Sequence, residues 1–322
     1  MERDQIPFSE VLDRLFSDRR APVSLVYRLS DMSPEELVAF EARWAAEPAE
    51  RRRVVARHMA DISEENYVVD FSPILMRLLQ DSSAEVRLAA VEGLWDTSNT
   101  GAVAPIIDLM EGDADMRVRA AAASCLGHFV LMCEWGQIQE SISGRVVNAL
   151  AQQYEADGTA ENVRRASLES LGNSADSRVR GYIDDAYEHG DDVMQISAVY
   201  AMGRTSDSRW SPIVIQEMEN PDEEMREEAA RAAGHIGSSD AVEQLIALLE
   251  DDELPVQLAA VIALGQIGSD EAYEALEAIL NDEDAFELHE AAEEAIEEVE
   301  WLNVDLDMKI FDWEDDSDED FE

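Results

Sequence analysis

The segment Val256-Gln257-Leu258-Ala259-Ala260-Val261-Ile262-Ala263-Leu264-Gly265-Gln266-Ile267-Gly268 constrains the fold most, because near-copies of it recur upstream at a fixed step. Thirty-one residues before Gly265 stands Gly234, in Met225-Arg226-Glu227-Glu228-Ala229-Ala230-Arg231-Ala232-Ala233-Gly234-His235-Ile236-Gly237, and two further steps reach Gly203 and Gly172. Seven residues after three of these glycines a second apolar pattern begins: Ala272, Leu276, Ile279, Leu280; Ala241, Leu245, Leu248, Leu249; and Val179, Ile183, Ala186, Tyr187. Apolar positions three and four apart give each segment one buried stripe, so every unit is two amphipathic helices. Alanines on the first helix let neighbouring helices approach closely, and the glycine with its Ser/Asp neighbours is expected to end one helix and open the next.

Such a hairpin cannot bury its apolar face alone, so it must stack on copies of itself. The pattern Val/Met-Arg/Gln-x-x-Ala…Ala-Leu/Ala-Gly-x-Ile-Gly, then Ala-x-x-x-Leu-x-x-Leu-Leu and an acidic turn, closely resembles HEAT-like repeats of the phycobilisome-lyase type. The resemblance spans residues 82 to 300 and includes units with Val86-Arg87 and Trp95 and with Val118-Arg119 and Gly127. It implies an all-α fold, a right-handed α-solenoid of stacked HEAT-like helical hairpins (an α-α superhelix). We expect a helical N-terminal cap over residues 1–80, the repeat solenoid over 81–301 and an acidic, disordered tail over 302–322. In the cap, helices are predicted at Phe8 to Phe16, Pro34 to Ala46, Ala49 to Ala60 and Val68 to Leu79. Ser33-Pro34-Glu35-Glu36 reads as a helix start, with a serine cap, proline in the first turn and acids after it.

The net charge of −49 is polarised along the chain. Residues 1–60 carry ten basic and eleven acidic side chains; residues 217–322 carry three and thirty-seven. Direct nucleic-acid binding is not expected from such a C-terminal half, since phosphates are neutralised by Lys and Arg. A basic protein partner is. Lys309 is the only lysine beside twenty-three arginines, a bias that a GC-rich genome or a high-salt cytoplasm would also produce. The second explanation calls for acidity spread evenly, which this chain lacks. The charged start Met1-Glu2-Arg3-Asp4 and the want of a long apolar window predict a cytoplasmic protein with no membrane insertion.

Four places invite a functional reading. Arg51, Arg52, Arg53 and Arg57 concentrate positive charge, for an anionic ligand or simply for acidic partners within the fold. Between Gly127 and Gly172 the step widens to 45 residues, an insertion over 129–142 that includes Phe129-Val130-Leu131-Met132-Cys133-Glu134-Trp135. It is either a binding element or an extended helix packed on the next unit. Trp210 opens a second helix. After Glu300, Ile310, Phe311 and Trp313 stand among acids, the composition of a docking peptide. Phe129, Trp135, Trp210, Ile310, Phe311 and Trp313 are therefore the candidate partner-binding residues.

No catalytic, cofactor-binding or metal-ligating residues are assigned. Cys125 and Cys133 flank His128, but zinc normally takes four ligands with short paired spacings, and free buried thiols are common in cores. Deoxyhypusine hydroxylases of this fold use several His-Glu pairs; this chain resembles them only at Leu288-His289-Glu290-Ala291-Ala292. The expected function is a non-catalytic protein-interaction scaffold or adaptor, binding a basic partner through its concave face and acidic C-terminal half. Two alternatives stand beside it: a bilin lyase or isomerase accessory, as the repeat type implies, and an acidic mimic of nucleic acid that occupies a basic protein.

Overall fold

A computed structural model describes residues 6–17, 23–30, 32–66 and 68–300. Among these residues all regular structure is helical. Two compact units divide the chain, Met1–Asp176 and Ser177–Glu322.

The first unit opens with α1 (Phe8–Ser17), α2 (Val23–Val26), α3 (Pro34–Ala46), α4 (Ala49–Glu65) and α5 (Ser72–Leu78). Ser33 forms a full capping box on α3: its hydroxyl accepts from the Glu36 amide, and the Glu36 carboxylate accepts from the Ser33 amide. Phe16, Phe40 and Trp44 knit α1 to α3, with ring centroids 5.2 to 6.1 Å apart. The predicted helix at Val68 to Leu79 begins later, at Ser72, because Asp70 and Phe71 turn the chain and Pro73 fits only the first turn.

Repeating hairpins follow: α6 (Ala84–Glu92) with α7 (Val103–Gly112), α8 (Met116–Glu134) with α9 (Glu140–Glu155), and then α10 (Glu161–Leu171). The widened step is absorbed mainly by helix lengthening. α8 has 19 residues and α9 has 16, where the regular pair α14 and α15 has 14 and 7. The apolar run continues α8 along its buried side as far as Glu134, and Gly136, at φ +69°, turns the chain out of it.

The second unit holds α11 (Ser177–His189), α12 (Asp192–Arg204), α13 (Ser211–Glu217), α14 (Glu223–Ile236), α15 (Val242–Leu248), α16 (Leu254–Ile267), α17 (Asp270–Asn281) and α18 (289–300). The first helices of successive hairpins, α12, α14 and α16, pack directly on one another, while the second helices touch each other far less. The periodic glycines explain that layer. A Cβ on Gly203 would lie 2.8 Å from Ala232 Cα; on Gly234, 2.9 Å from Ala263 Cα; on Gly265, 2.7 Å from Ala295 Cβ. These glycines do not end their helices, as the sequence suggested: they sit buried within them, where backbone meets backbone. The left-handed residues that close α14 and α16 come three positions later, at Gly237 and Gly268, with φ of 69° and 61°. A stack whose first helices are held closer than its second helices bends towards the first, so the concave side of this unit is lined by α12, α14 and α16.

Candidate partner-binding surfaces

Five of the turns between second and first helices are built on one device. An Asp or Asn accepts a hydrogen bond from the amide two residues on: Asp81 from Ser83, Asp113 from Asp115, Asn220 from Asp222, Asp251 from Glu253 and Asp282 from Asp284, all at 2.8 to 3.0 Å. At two of these turns an arginine from the preceding first helix clamps the aspartate with both arms. Arg87 reaches Asp113 at 2.6 and 2.8 Å, and Arg226 reaches Asp251 at 2.7 and 2.9 Å. The free Nη1 of each donates to the carbonyl of its own turn, Asp81 O at 2.7 Å and Asn220 O at 2.9 Å. Arg226's hydrogen bonds hold the Asp251 carboxyl below its ordinary value against burial. Burial would raise Asp113, yet Arg87's hydrogen bonds and charge, with the Asp115 amide, hold it low as well.

Arginine and aspartate therefore form a ladder of two successive rungs in the first unit, Arg52–Asp81 and Arg87–Asp113, and a single rung in the second, Arg226–Asp251, where Gln195 and Gln257 occupy the neighbouring register positions. Sequence reading did not find it, although its signal was present: Val86-Arg87 and Met225-Arg226 precede the turn aspartates by 26 and 25 residues. Three of the four arginines in the cluster at Arg51 to Arg57 are paired by the same logic. Arg52 pairs with Asp81 at 3.0 Å, Arg53 lies 3.4 Å from Glu85, and Arg57 binds Asp61 at 2.6 Å and also Glu92. Of the two readings of that cluster, intramolecular pairing is the one seen.

In the second unit, carboxylates outnumber cations so far that few can be paired. Between Glu217 and Glu300 there are twenty-seven acidic side chains and two arginines, and both arginines are already engaged, Arg226 with Asp251 and Arg231 with Glu227. Asp222, Glu223 and Glu224, then Asp252 and Glu253, then Glu283 and Asp284 stand exposed at successive turns one repeat apart. The close-packed face is different in character. Exposed or half-exposed positions there, in register from helix to helix, are Tyr200, Arg231, Ile262 and Glu293, with Ile262 47% exposed. His235 is held neutral over a wider pH range than usual, first by burial and then by the charges of Arg204 and Arg231.

The candidate aromatic residues separate by burial. Phe129 is fully buried in α8, and Trp210 is 2% exposed at the start of α13, with the Arg209 guanidinium 4.4 Å from its ring centroid. Both serve packing, and neither offers a surface to a partner. Trp135, just past α8, is 63% exposed. Ile310, Phe311 and Trp313 lie outside the described residues. The Cys125 thiol is buried, pushed up to about 12, and faces the Leu94 carbonyl at 3.5 Å. His289 contacts the Asp282 carbonyl at 2.9 Å through Nε2. Among the described residues no group of three His, Cys, Asp or Glu side chains converges on a metal position, and no helix is long and apolar enough to cross a membrane.

Comparison with protein families identifies the repeat. A model of HEAT repeats matches residues 71–141 and 211–297. No curated protein matches in sequence. Among solved structures, YibA of Escherichia coli is similar at 15% identity, covering 88% of this chain and 98% of that one, with a TM-score of 0.46. The CpcE and CpcF phycocyanin lyase complex of Nostoc is similar at 19% identity over 70% and 94%, TM-score 0.47. Human deoxyhypusine hydroxylase is similar at 16% identity over 91% and 96%, TM-score 0.36. Likenesses this distant carry neither activity over to this chain.

Proposed function

This chain carries HEAT repeats, and from that premise we propose that it is a non-catalytic adaptor that captures a basic protein through the acidic edge of its C-terminal unit. The supporting observation is the charge imbalance between Glu217 and Glu300, where both arginines are consumed by internal ion pairs and the turn carboxylates stand exposed at each repeat. Successive packed helices lie about 8–10 Å apart, so the edge presents carboxylate clusters at a regular step that an extended basic segment can follow. Charge of this kind raises the association rate and excludes acidic competitors. Affinity then comes from apolar anchors, for which Ile262 on the close-packed face of the same unit is exposed.

The test compares capture from native extract by the intact chain and two variants of equal charge. One neutralises the edge (Asp252→Asn, Glu253→Gln, Glu283→Gln, Asp284→Asn). The other neutralises exposed second-helix positions (Glu243→Gln, Glu271→Gln, Glu274→Gln, Glu277→Gln). The expected result is a stoichiometric basic protein retained at low salt by the intact chain and the second variant, and lost from the first. Equal retention by both variants, or no retained protein, refutes the reading.

The same regular step of carboxylates also favours a second reading, in which the edge mimics nucleic acid. Displacement of the captured protein by duplex DNA or RNA at equal ionic strength would distinguish the two.

A further inference from the structure

Charge is ordered along the close-packed face of the second unit. The row that runs from Tyr200 through Arg231 and Ile262 to Glu293 has a second beside it in the same 31-residue register, Arg204, His235, Gln266 and Glu297. Together they cross α12, α14, α16 and α18, beginning with two arginines, passing over an uncharged helix and ending on two glutamates. Backbone contact between successive helices makes the rows one ribbon. The His235 Nδ1 lies 3.5 Å from where a Cβ on Gly203 would stand, and the Gln266 carboxamide closes over Gly234 in the same way. Both guanidinium groups act on the His235 ring, which places them together at one end. Arg231 also holds Glu227 on its own helix, yet its side chain is 51% exposed. Ile262 is exposed in the middle, and Glu293 and Glu297 are exposed at the far end. Of the two arginines between Glu217 and Glu300, one therefore stands on this ribbon.

The form of a ligand follows from the floor. Its backbone groups are bonded within four helices, so it offers side chains alone, and a segment lying across it must satisfy its own backbone. A helix does so. Helices in such contact stand about 8–10 Å apart, so the ribbon is about 24–30 Å long, the length of about 16–20 helical residues at about 1.5 Å each. On a ligand helix, positions about 7, 11 and 18 residues after a first one share its face and lie about 10, 16 and 27 Å along it. Those are the steps from α12 to α14, α16 and α18.

We propose that the ribbon docks an amphipathic helix of the protein partner, with apolar residues on Tyr200 and Ile262, an acidic residue between them on Arg204 and Arg231, and a basic residue at its far end on Glu293 and Glu297. The inference rests on the adaptor reading, in which Ile262 is the apolar anchor, and it adds the kind and the direction of the segment that meets that anchor. The order of charge excludes a uniformly basic helix, which the net charge of the unit alone would favour.

The probes are alanine-based peptides of about 20 residues carrying Leu, Glu, Leu and Lys at the four positions in turn, with two controls that carry Glu at both charged positions or Lys at both. They are titrated into the isotope-labelled full chain at about 0.15 M salt, where distant carboxylates are screened. Amide shifts are expected at residues 200–204, 231–235, 262–266 and 293–297, and the mixed peptide is expected to bind about tenfold more tightly than either control, the worth of one charge-assisted interaction. A nitroxide beside its first Leu should broaden residues 200–204 and leave 293–297 sharp. Two variants change exposed positions and should keep the parent unfolding midpoint. Glu293→Lys with Glu297→Lys is expected to transfer the preference to the all-Glu peptide, and Ile262→Asp to weaken all three about tenfold. Tightest binding by the all-Lys peptide, binding by none of the three, or an unchanged order in the reversed variant overturns the proposal. Capture of a basic protein through the edge without this order of peptides overturns the ribbon alone; the order of peptides without such capture supports the ribbon and overturns the adaptor reading of the edge.

Discussion

Two glycine-to-alanine substitutions separate packing from helix propensity in this fold. Gly203 and Gly181 both lie within helices, α12 and α11, and on propensity alone each change should stabilise by about 0.5–1 kcal/mol. At Gly181 a new Cβ meets nothing within 4 Å, so that gain should be realised. At Gly203 it meets Ala232 Cα at 2.8 Å and Ala232 Cβ at 3.0 Å, where ordinary contact begins at 3.4 Å. The obstacle is backbone, so α12 and α14 must separate by about 0.6 Å. Overpacking of this kind costs about 1–3 kcal/mol. Set against the propensity gain, Gly203→Ala should destabilise by about 1 kcal/mol, and the two chemically identical changes should differ by about 2 kcal/mol. Urea unfolding followed by circular dichroism measures this, provided the slope with denaturant is unchanged so that midpoints can be compared. Adding Ala232→Gly to Gly203→Ala removes the obstructing methyl, and the double variant should recover part of the loss, a coupling of about 0.5–1 kcal/mol. If Gly203→Ala stabilises the chain as much as Gly181→Ala does, the account of the 31-residue glycine period given above is wrong.

The other expectations test the ladder and the burial assignments. Asp251→Ala leaves the Arg226 guanidinium, 16% exposed, without its partner, and should cost about 2 kcal/mol after discounting for partial solvation; Asp252→Ala, exposed beside it, should cost under about 0.5 kcal/mol by the same urea assay. Because Arg87 and Arg226 hold the Asp113 and Asp251 carboxyls below their ordinary value in the folded chain against burial, the stability they contribute is present above the unfolded-state value and is lost as pH falls through the lower folded-state value. Thermal midpoints measured from pH 5 down to 2.5 should therefore fall, and the Asp251→Ala variant should fall less steeply. Cys133 should react with a maleimide in the native protein while Cys125, buried and pushed up to about 12, reacts only on unfolding; equal native rates would contradict the placement of α8. Trp135→Ala should leave stability within about 0.5 kcal/mol, whereas Trp210→Ala should cost about 3–5 kcal/mol.

Much of this architecture was legible in the residues because a repeat states its own geometry several times. The step between glycines located four hairpins, and Ser33-Pro34-Glu35-Glu36 located a helix start to the residue, since capping is local chemistry. What stayed hidden depends on distant neighbours. A glycine required for a left-handed turn and one required for close approach look alike in sequence, and Gly234 and Gly237 in fact divide those roles between them. The ladder was hidden because its members are a whole hairpin apart, so Arg226 and Asp251 read as an exposed helix charge and an acidic turn. Trp135 and Trp210 could not be told apart for the same reason: burial is set by what the neighbouring repeat brings against them.

The contact of Gly203 with Ala232, Gly234 with Ala263 and Gly265 with Ala295 has a mechanical consequence. Backbones already in van der Waals contact cannot be pushed closer, so the inner side of the C-terminal unit behaves as a spine of fixed length. Any change of curvature there must come from the outer side, by spreading or closing α13, α15 and α17, whose mutual contacts are sparse. A partner that grips this unit therefore meets a surface that is stiff along its inner length and compliant across its back.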